Sequence, residues 1–185
     1  MIRAILIVSL SLCWLNIFAQ GEKQIQSRRI KTKVTRVESI QKEKRELTFS
    51  TTHYDGKGRE TEVNYYNTDS VCVKSEQFQY NRKGKTTHHT TVDSIKKITT
   101  EILYTYDQWN RLREKQVKEN SNMRERTIYE YDNFDNKIKE VVLNGKEEIK
   151  KDITYTYDKK GMLLRKTTLN GSGKVIYDKT NTYDY

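Results

Sequence analysis

Proline is absent from this sequence, and cysteine and histidine nearly so, with two and three residues. Without proline there are no rigid polyproline segments and no proline-fixed turns, so every turn must come from glycine, asparagine, aspartate or serine. One cysteine, Cys13, lies in the apolar leader, which leaves Cys72 without a partner and excludes an intrachain disulfide framework. The histidines are His53 and the adjacent His88 and His89, which point to opposite faces of a strand; no metal site or cofactor is expected from them. Beyond residue 19 no long hydrophobic run occurs. With 34% hydrophobic against 32% charged residues, a thick core buried on both sides is excluded.

What the chain does have begins with Met1-Ile2-Arg3 and an apolar stretch from Ala4 to Phe18. A charged start, a short apolar run and Ala19 as a small residue for cleavage predict a signal peptide over 1–19. The run is too short for a convincing membrane span, and Leu12 ahead of Cys13 does not suit lipidation. The mature protein is therefore expected in the periplasm or outside the cell, not integral to the membrane. The net charge of the whole sequence, +10, is spread along the chain. Such a charge attracts polyanions, or simply solvates the outer face of a sheet, and export excludes nucleic acid as a natural partner.

A repeat dominates the remainder. Tyr54, Tyr80, Tyr106, Tyr131, Tyr157 and Tyr183 recur at intervals of 26, 26, 25, 26 and 26 residues. Each is followed by an acid or its amide: Asp55, Asn81, Asp107, Asp132, Asp158 and Asp184. Next comes a residue tolerant of positive φ: Gly58, Gly84, Asn110, Asn136 or Asp135, and Gly161. Asp-x-x-Gly is turn chemistry. The carboxylate accepts a backbone N–H two residues on, and the glycine closes a hairpin through a left-handed bulge.

Halfway between these marks lie Asn67-Thr68-Asp69-Ser70, Asp93-Ser94, Asn120-Ser121-Asn122, Asn144-Gly145 and Asn170-Gly171-Ser172-Gly173. They form a second set of turns, in which Asn144-Gly145 is the strongest two-residue hairpin signal. Each repeat then holds two strands of about nine residues, about 30 Å long. Runs such as Ile153-Thr154-Tyr155-Thr156-Tyr157 send both tyrosines to one face, where they should stack into a ladder that serves as the core. An earlier hairpin within 20–51 is expected to cap the repeat domain of 52–185. The expected fold is all-β: an antiparallel meander of about 11–12 strands in a single twisted or curled sheet, whose Tyr face curling would close on itself.

Tyr104-Thr105-Tyr106-Asp107-Gln108-Trp109-Asn110-Arg111-Leu112 and Tyr155-Thr156-Tyr157-Asp158-Lys159-Lys160-Gly161-Met162-Leu163 resemble the Tyr-Asp (YD) repeat of the RHS family, written Y-x-Y-D-x-x-G-R-L. The likeness runs from about Thr52 to Tyr185. It implies meandering β-sheet and, as candidate roles, a shell around a toxin cargo or carbohydrate binding at cell surfaces. This sequence departs from the pattern at Asn81, at His53 and Phe78 in place of the first tyrosine, and in its longer unit. It is expected to be too small to enclose a cargo.

No catalytic set is expected, because the turn aspartates are explained by turn chemistry and Cys72 has no base near it in sequence. A hydrolase is the weakest of three readings, since paired catalytic carboxylates must converge. Trp109 and Phe134 stand out instead. They occupy the tip position where other repeats carry Lys57, Lys83 and Lys160. Two readings of these rings are open: with Lys83 and Lys160 they line a ligand site, or they fold back over the sheet edge as packing. The leading functional expectation is an exported, non-enzymatic module binding an acidic glycan or other anionic surface ligand. The alternative is a structural protein of the cell envelope that pairs a sheet edge with a protein partner.

Overall fold

A computed structural model describes residues 22–41 and 44–184, with backbone alone over 39–41 and 44–47. The leader expected at 1–19 lies outside these residues. Twelve strands follow one another: β1 (Thr32–Gln41), β2 (Lys44–Tyr54), β3 (Glu60–Tyr66), β4 (Cys72–Tyr80), β5 (Thr86–Asp93), β6 (Ile98–Tyr106), β7 (Leu112–Glu119), β8 (Asn122–Tyr131), β9 (Lys137–Asn144), β10 (Ile149–Tyr157), β11 (Leu163–Asn170) and β12 (Val175–Thr180). They form one antiparallel meander in sequence order. The expected all-β architecture is thus the observed one. Closure of the Tyr face is not: β1 and β12 are edge strands and the sheet forms no barrel.

Every Tyr-Asp turn has the same construction. In the first, the Gly58 N–H donates to the Asp55 carbonyl at 3.0 Å and the Asp55 N–H to the Arg59 carbonyl at 2.9 Å. The Asp55 carboxylate accepts from the Lys57 and Arg59 N–H groups at 2.8 and 3.0 Å. The register slips by one residue just before Tyr54, Tyr106, Tyr131 and Tyr157, which is the bulge that Asp-x-x-Gly demands. Positive φ falls on Gly58, Gly84, Asn110, Asp135 and Gly161; in the fourth turn Asp135 takes it, and Asn136 does not.

Asn144-Gly145 behaves differently from the two-residue turn expected there. The Glu147 N–H donates to the Asn144 carbonyl at 3.0 Å, and Glu147 takes the positive φ of 62°. Gly145 serves space, since a Cβ there would stand 2.1 Å from the Met123 carbonyl oxygen. Gly171, one repeat later, meets Ile149 O in the same way at 2.1 Å. The two-residue turn is instead Asn120-Ser121, both residues having positive φ as a type I′ turn requires.

By contact the chain divides into a unit ending at Gln77 and a unit of Phe78–Tyr185. In the first, the cross-strand pair Thr52 and Val63 is buried, and the Phe49 and Tyr66 rings stack at 4.5 Å. A short helix over 22–27, not expected from the sequence, precedes the capping hairpin β1–β2. It lies against the first Tyr-Asp turn: a Cβ on Gly58 would meet the Glu22 carbonyl oxygen at 2.5 Å.

In the second unit the buried residues are Thr127, Val142, Leu143, Ile153 and Thr168. Register places Thr127 opposite Val142 and Ile153 opposite Thr168 on the face that carries the tyrosines. Leu143, adjacent to Val142, is buried on the other face beside Arg126. The tyrosines form a ladder on one face, with Tyr104, Tyr129 and Tyr155 half-buried and the intervening Thr105, Glu130 and Thr156 exposed, but Lys137 lies between the Tyr129 and Tyr155 rings where stacking was expected. It is not the buried core expected of it. A sheet without a covering layer leaves the large rings partly wet and buries only small side chains between them.

The second tyrosine of each pair has a further role. Tyr106, Tyr131, Tyr157 and Tyr183 donate their hydroxyls to the carbonyls of Thr86, Leu112, Lys137 and Leu163 at 2.7, 2.9, 2.8 and 3.0 Å. Each acceptor lies just after the preceding Tyr-Asp turn. The repeat mark is therefore also the staple that fixes one repeat on the one before it.

Candidate functional site

The turn aspartates are fully engaged. Asp55 would be raised by burial, but hydrogen bonds from the Arg59 side chain and the Arg59 and Lys57 backbone hold its carboxyl below the ordinary range. Burial also opposes ionisation of Asp107, and Arg111, through backbone and guanidinium, outweighs it. In Asp132 the Asn136 amide is the main cause of the same lowering. Carboxylates held below the ordinary range and tied to backbone N–H groups are poor proton donors, so these serve the turns.

Arg111 organises the turn after β6. Its Nε donates to Asp107 Oδ2 at 2.7 Å, and one terminal nitrogen reaches Asp135 Oδ1 at 2.8 Å and the Asp132 carbonyl at 3.2 Å. Its guanidinium lies 4.7 Å from the Trp109 ring centre and 4.9 Å from that of Tyr131. One Tyr-Asp turn is thereby tied to the next. Trp109 remains 63% exposed and Phe134 86% exposed, so neither ring folds back as packing.

A groove of about 780 Å³ opens beside Phe134. Its walls include Ile138, Tyr155 and Tyr157 from the Tyr face and Lys160 from the following turn. Phe134 and Lys160 therefore share a concavity, as an aromatic platform and a cation. Trp109 does not line it, being held by Arg111 one turn away, and Lys83 lies exposed in the turn after β4, also outside it. A smaller groove of about 330 Å³, lined by Asp107, Arg111, Tyr129 and Tyr131, meets the first at Ile138.

The Tyr face carries lysines between the rings, a feature hidden in a sequence where lysine is everywhere. Lys137 Nζ lies 5.4 Å from the Tyr129 ring centre and 4.8 Å from that of Tyr155, and it pairs with Glu140 at 2.6 Å. Lys166 Nζ lies between Tyr155 and Tyr177, at 5.6 and 5.7 Å.

The remaining reactive side chains are dispersed. His53 meets the Thr32 hydroxyl at 3.2 Å, His89 stacks on Phe78 at 4.5 Å, and the half-buried Cys72 Sγ lies 3.5 Å from the Lys74 carbonyl. Among the described residues no three histidine, cysteine or acidic side chains gather to hold a metal ion, and no helix is long and apolar enough to cross a membrane.

No protein-family model matches the chain, nor does any curated protein sequence. Similar solved structures include a porin-like protein from Bacteroides uniformis, 11% identical over 75% of this chain and 55% of that one, with a TM-score of 0.37. The chain thus spans little more than half the length of that protein. Another is a protein of unknown function from Bacteroides fragilis, 12% identical over 84% of this chain and 96% of the other, with a TM-score of 0.22.

Proposed function

We propose that the protein is an exported, non-enzymatic YD-type repeat module that binds an acidic glycan along the Tyr-Asp turns of its second unit. The observation that carries this reading is the Phe134 ring, 86% exposed at a turn tip and forming one wall of the groove that holds Lys160. Exposed rings stack on the apolar faces of sugars, and a lysine beside them suits an anionic substituent. Trp109 supplies a second platform one repeat away. Apo-protein stability gives little reason to keep either ring on the surface, since leaving it there forfeits burial worth roughly 1.5–3 kcal/mol.

The test is Trp109→Ala with Phe134→Ala, assayed on a glycan array and by melting temperature. Loss of glycan binding at an unchanged melting temperature is the expected outcome. A lack of any binding by the parent protein, at low and moderate salt, would sink the reading.

One observation favours a second reading. β12 is an edge strand whose consecutive residues Val175, Ile176 and Tyr177 are all about half exposed, a surface suited to pairing with a partner's strand in the cell envelope. A crosslinked envelope protein lost on introducing proline at Ile176 would support that reading over the first.

A further inference from the structure

From the Phe134 groove the Tyr face continues across β11 to β12, and the charges there are arranged unlike those elsewhere in the unit. Tyr155 lines the groove and stands directly opposite Lys166 on β11, which in turn stands opposite Lys179 on β12. Two like charges face each other across one strand pair, an arrangement that repels. Asp178, the acid next to Lys179, points to the other face, where Arg165 holds it at 2.9 and 2.7 Å and Thr167 at 3.0 Å. Glu140, the acid nearest along the Tyr face, is taken by Lys137 and by the Tyr155 hydroxyl. Among the described residues no ion pair joins Lys166 or Lys179 to a carboxylate.

We infer that Lys166 and Lys179, framed by Tyr155 and Tyr177, form the subsite that receives the negatively charged group of an acidic polysaccharide whose neighbouring sugar occupies the Phe134 groove. This rests on the glycan reading above and specifies which ligands it admits. Lys166 lies between two tyrosine rings, so its ammonium is positioned before a ligand arrives, and an anion between the two lysines relieves their repulsion. From β10 to β12 is two strand spacings, roughly 10 Å, a reach suited to a linear chain lying across the strands. An anionic membrane fits less well, because a flat surface does not enter the groove that Phe134 and Lys160 line.

The experiment is calorimetric titration of the full chain with a galacturonate hexasaccharide, a sulfated hexasaccharide and a neutral cellohexaose, at low and at physiological salt. The parent protein should bind one or both acidic chains about tenfold more tightly than the neutral one, a difference of about 1.4 kcal/mol. Lys166→Gln with Lys179→Gln should reduce acidic binding to the neutral level and remove its salt dependence. Its melting temperature should not fall, since a repulsion is removed, and Lys166→Arg with Lys179→Arg should keep the preference. Acidic binding that persists with its salt dependence in the glutamine variant overturns the subsite but leaves the acidic-glycan reading intact, whereas a parent that binds the neutral chain as tightly or more tightly overturns both. No binding of any of the three overturns both. Tighter binding to phosphatidylglycerol vesicles than to the acidic chains assigns the lysines to a membrane and overturns the inference.

Discussion

After β2, β4, β6, β8 and β10 the chain turns five times through one geometry, whereas after β3, β5, β7, β9 and β11 it uses three. Asn67, Asn144 and Asn170 open bulged turns like those of the Tyr-Asp set; Asp93 opens a four-residue loop; Asn120-Ser121 is a two-residue turn. The difference lies in what each end of the strands must do. On the Tyr-Asp side of the second unit, a tyrosine hydroxyl leading into one turn reaches the carbonyl just after the turn before, so each turn must place its first and last residues alike. Among the described residues no tyrosine hydroxyl ties the other side in this way, and there local space decides.

The most drastic way to break this contrast is to ionise the tyrosines. Burial, first among the causes, raises the hydroxyl pKa of Tyr104, Tyr106, Tyr129, Tyr131, Tyr155 and Tyr157 above the ordinary value of 10.0. A group raised in the folded state contributes stability that is complete below its unfolded value and is lost as pH rises through the folded ones. Strand signal in circular dichroism should therefore hold up to about pH 10 and collapse cooperatively above it. Independent titration of each tyrosine with the strands intact would show that the ladder is not a common element of the fold.

Glycines separate the two sides next. Gly145 has no positive φ but faces the Met123 carbonyl, so Gly145→Ala must push backbone apart and should cost about 2–3 kcal/mol. Gly161 has a φ of 79° and an open surrounding, its Cβ position lying 3.9 Å from Asn136 Oδ1. Gly161→Asn should cost less than about 0.5 kcal/mol, because asparagine tolerates that conformation and Asn110 already adopts it two Tyr-Asp turns earlier. Urea denaturation of the two variants checks the order, and equal losses would erase the distinction between space and φ.

The Tyr-Asp side was legible in the sequence because its determinants are local. Aspartate, a fourth residue able to take positive φ and the 26-residue spacing each state the turn without reference to the rest of the chain. The other side differed from the expectation at Asn144-Gly145, where the same dipeptide serves two turn types and the Met123 carbonyl that requires the glycine belongs to a strand more than twenty residues back. The staples were hidden for the same reason: nothing near Tyr131 says that its hydroxyl meets Leu112. At the candidate site, Phe134 stood out as a departure from the lysine that Lys160 keeps at the same tip position. The grip of Arg111 on Trp109 did not, because arginine at that position reads only as part of the pattern. Lys166 and Lys179 were invisible among many lysines until strand register set them opposite each other.

The finest distinction is within a tyrosine pair. Tyr131→Phe removes only the hydroxyl that reaches the Leu112 carbonyl at 2.9 Å, and Tyr104→Phe removes one whose raised pKa traces to burial alone. A hydrogen bond of this kind is worth about 1 kcal/mol, and the partial exposure of Tyr131 lets water replace some of it. The first variant should thus lower stability by somewhat under 1 kcal/mol, and the second by a few tenths at most. Because each staple joins a different pair of repeats, Tyr131→Phe and Tyr157→Phe should add. Equal losses for Tyr131→Phe and Tyr104→Phe would mean that the hydroxyl staple adds nothing to what the rings and the strand pairing already hold. The shared shape of the Tyr-Asp turns would then need a cause other than the staple.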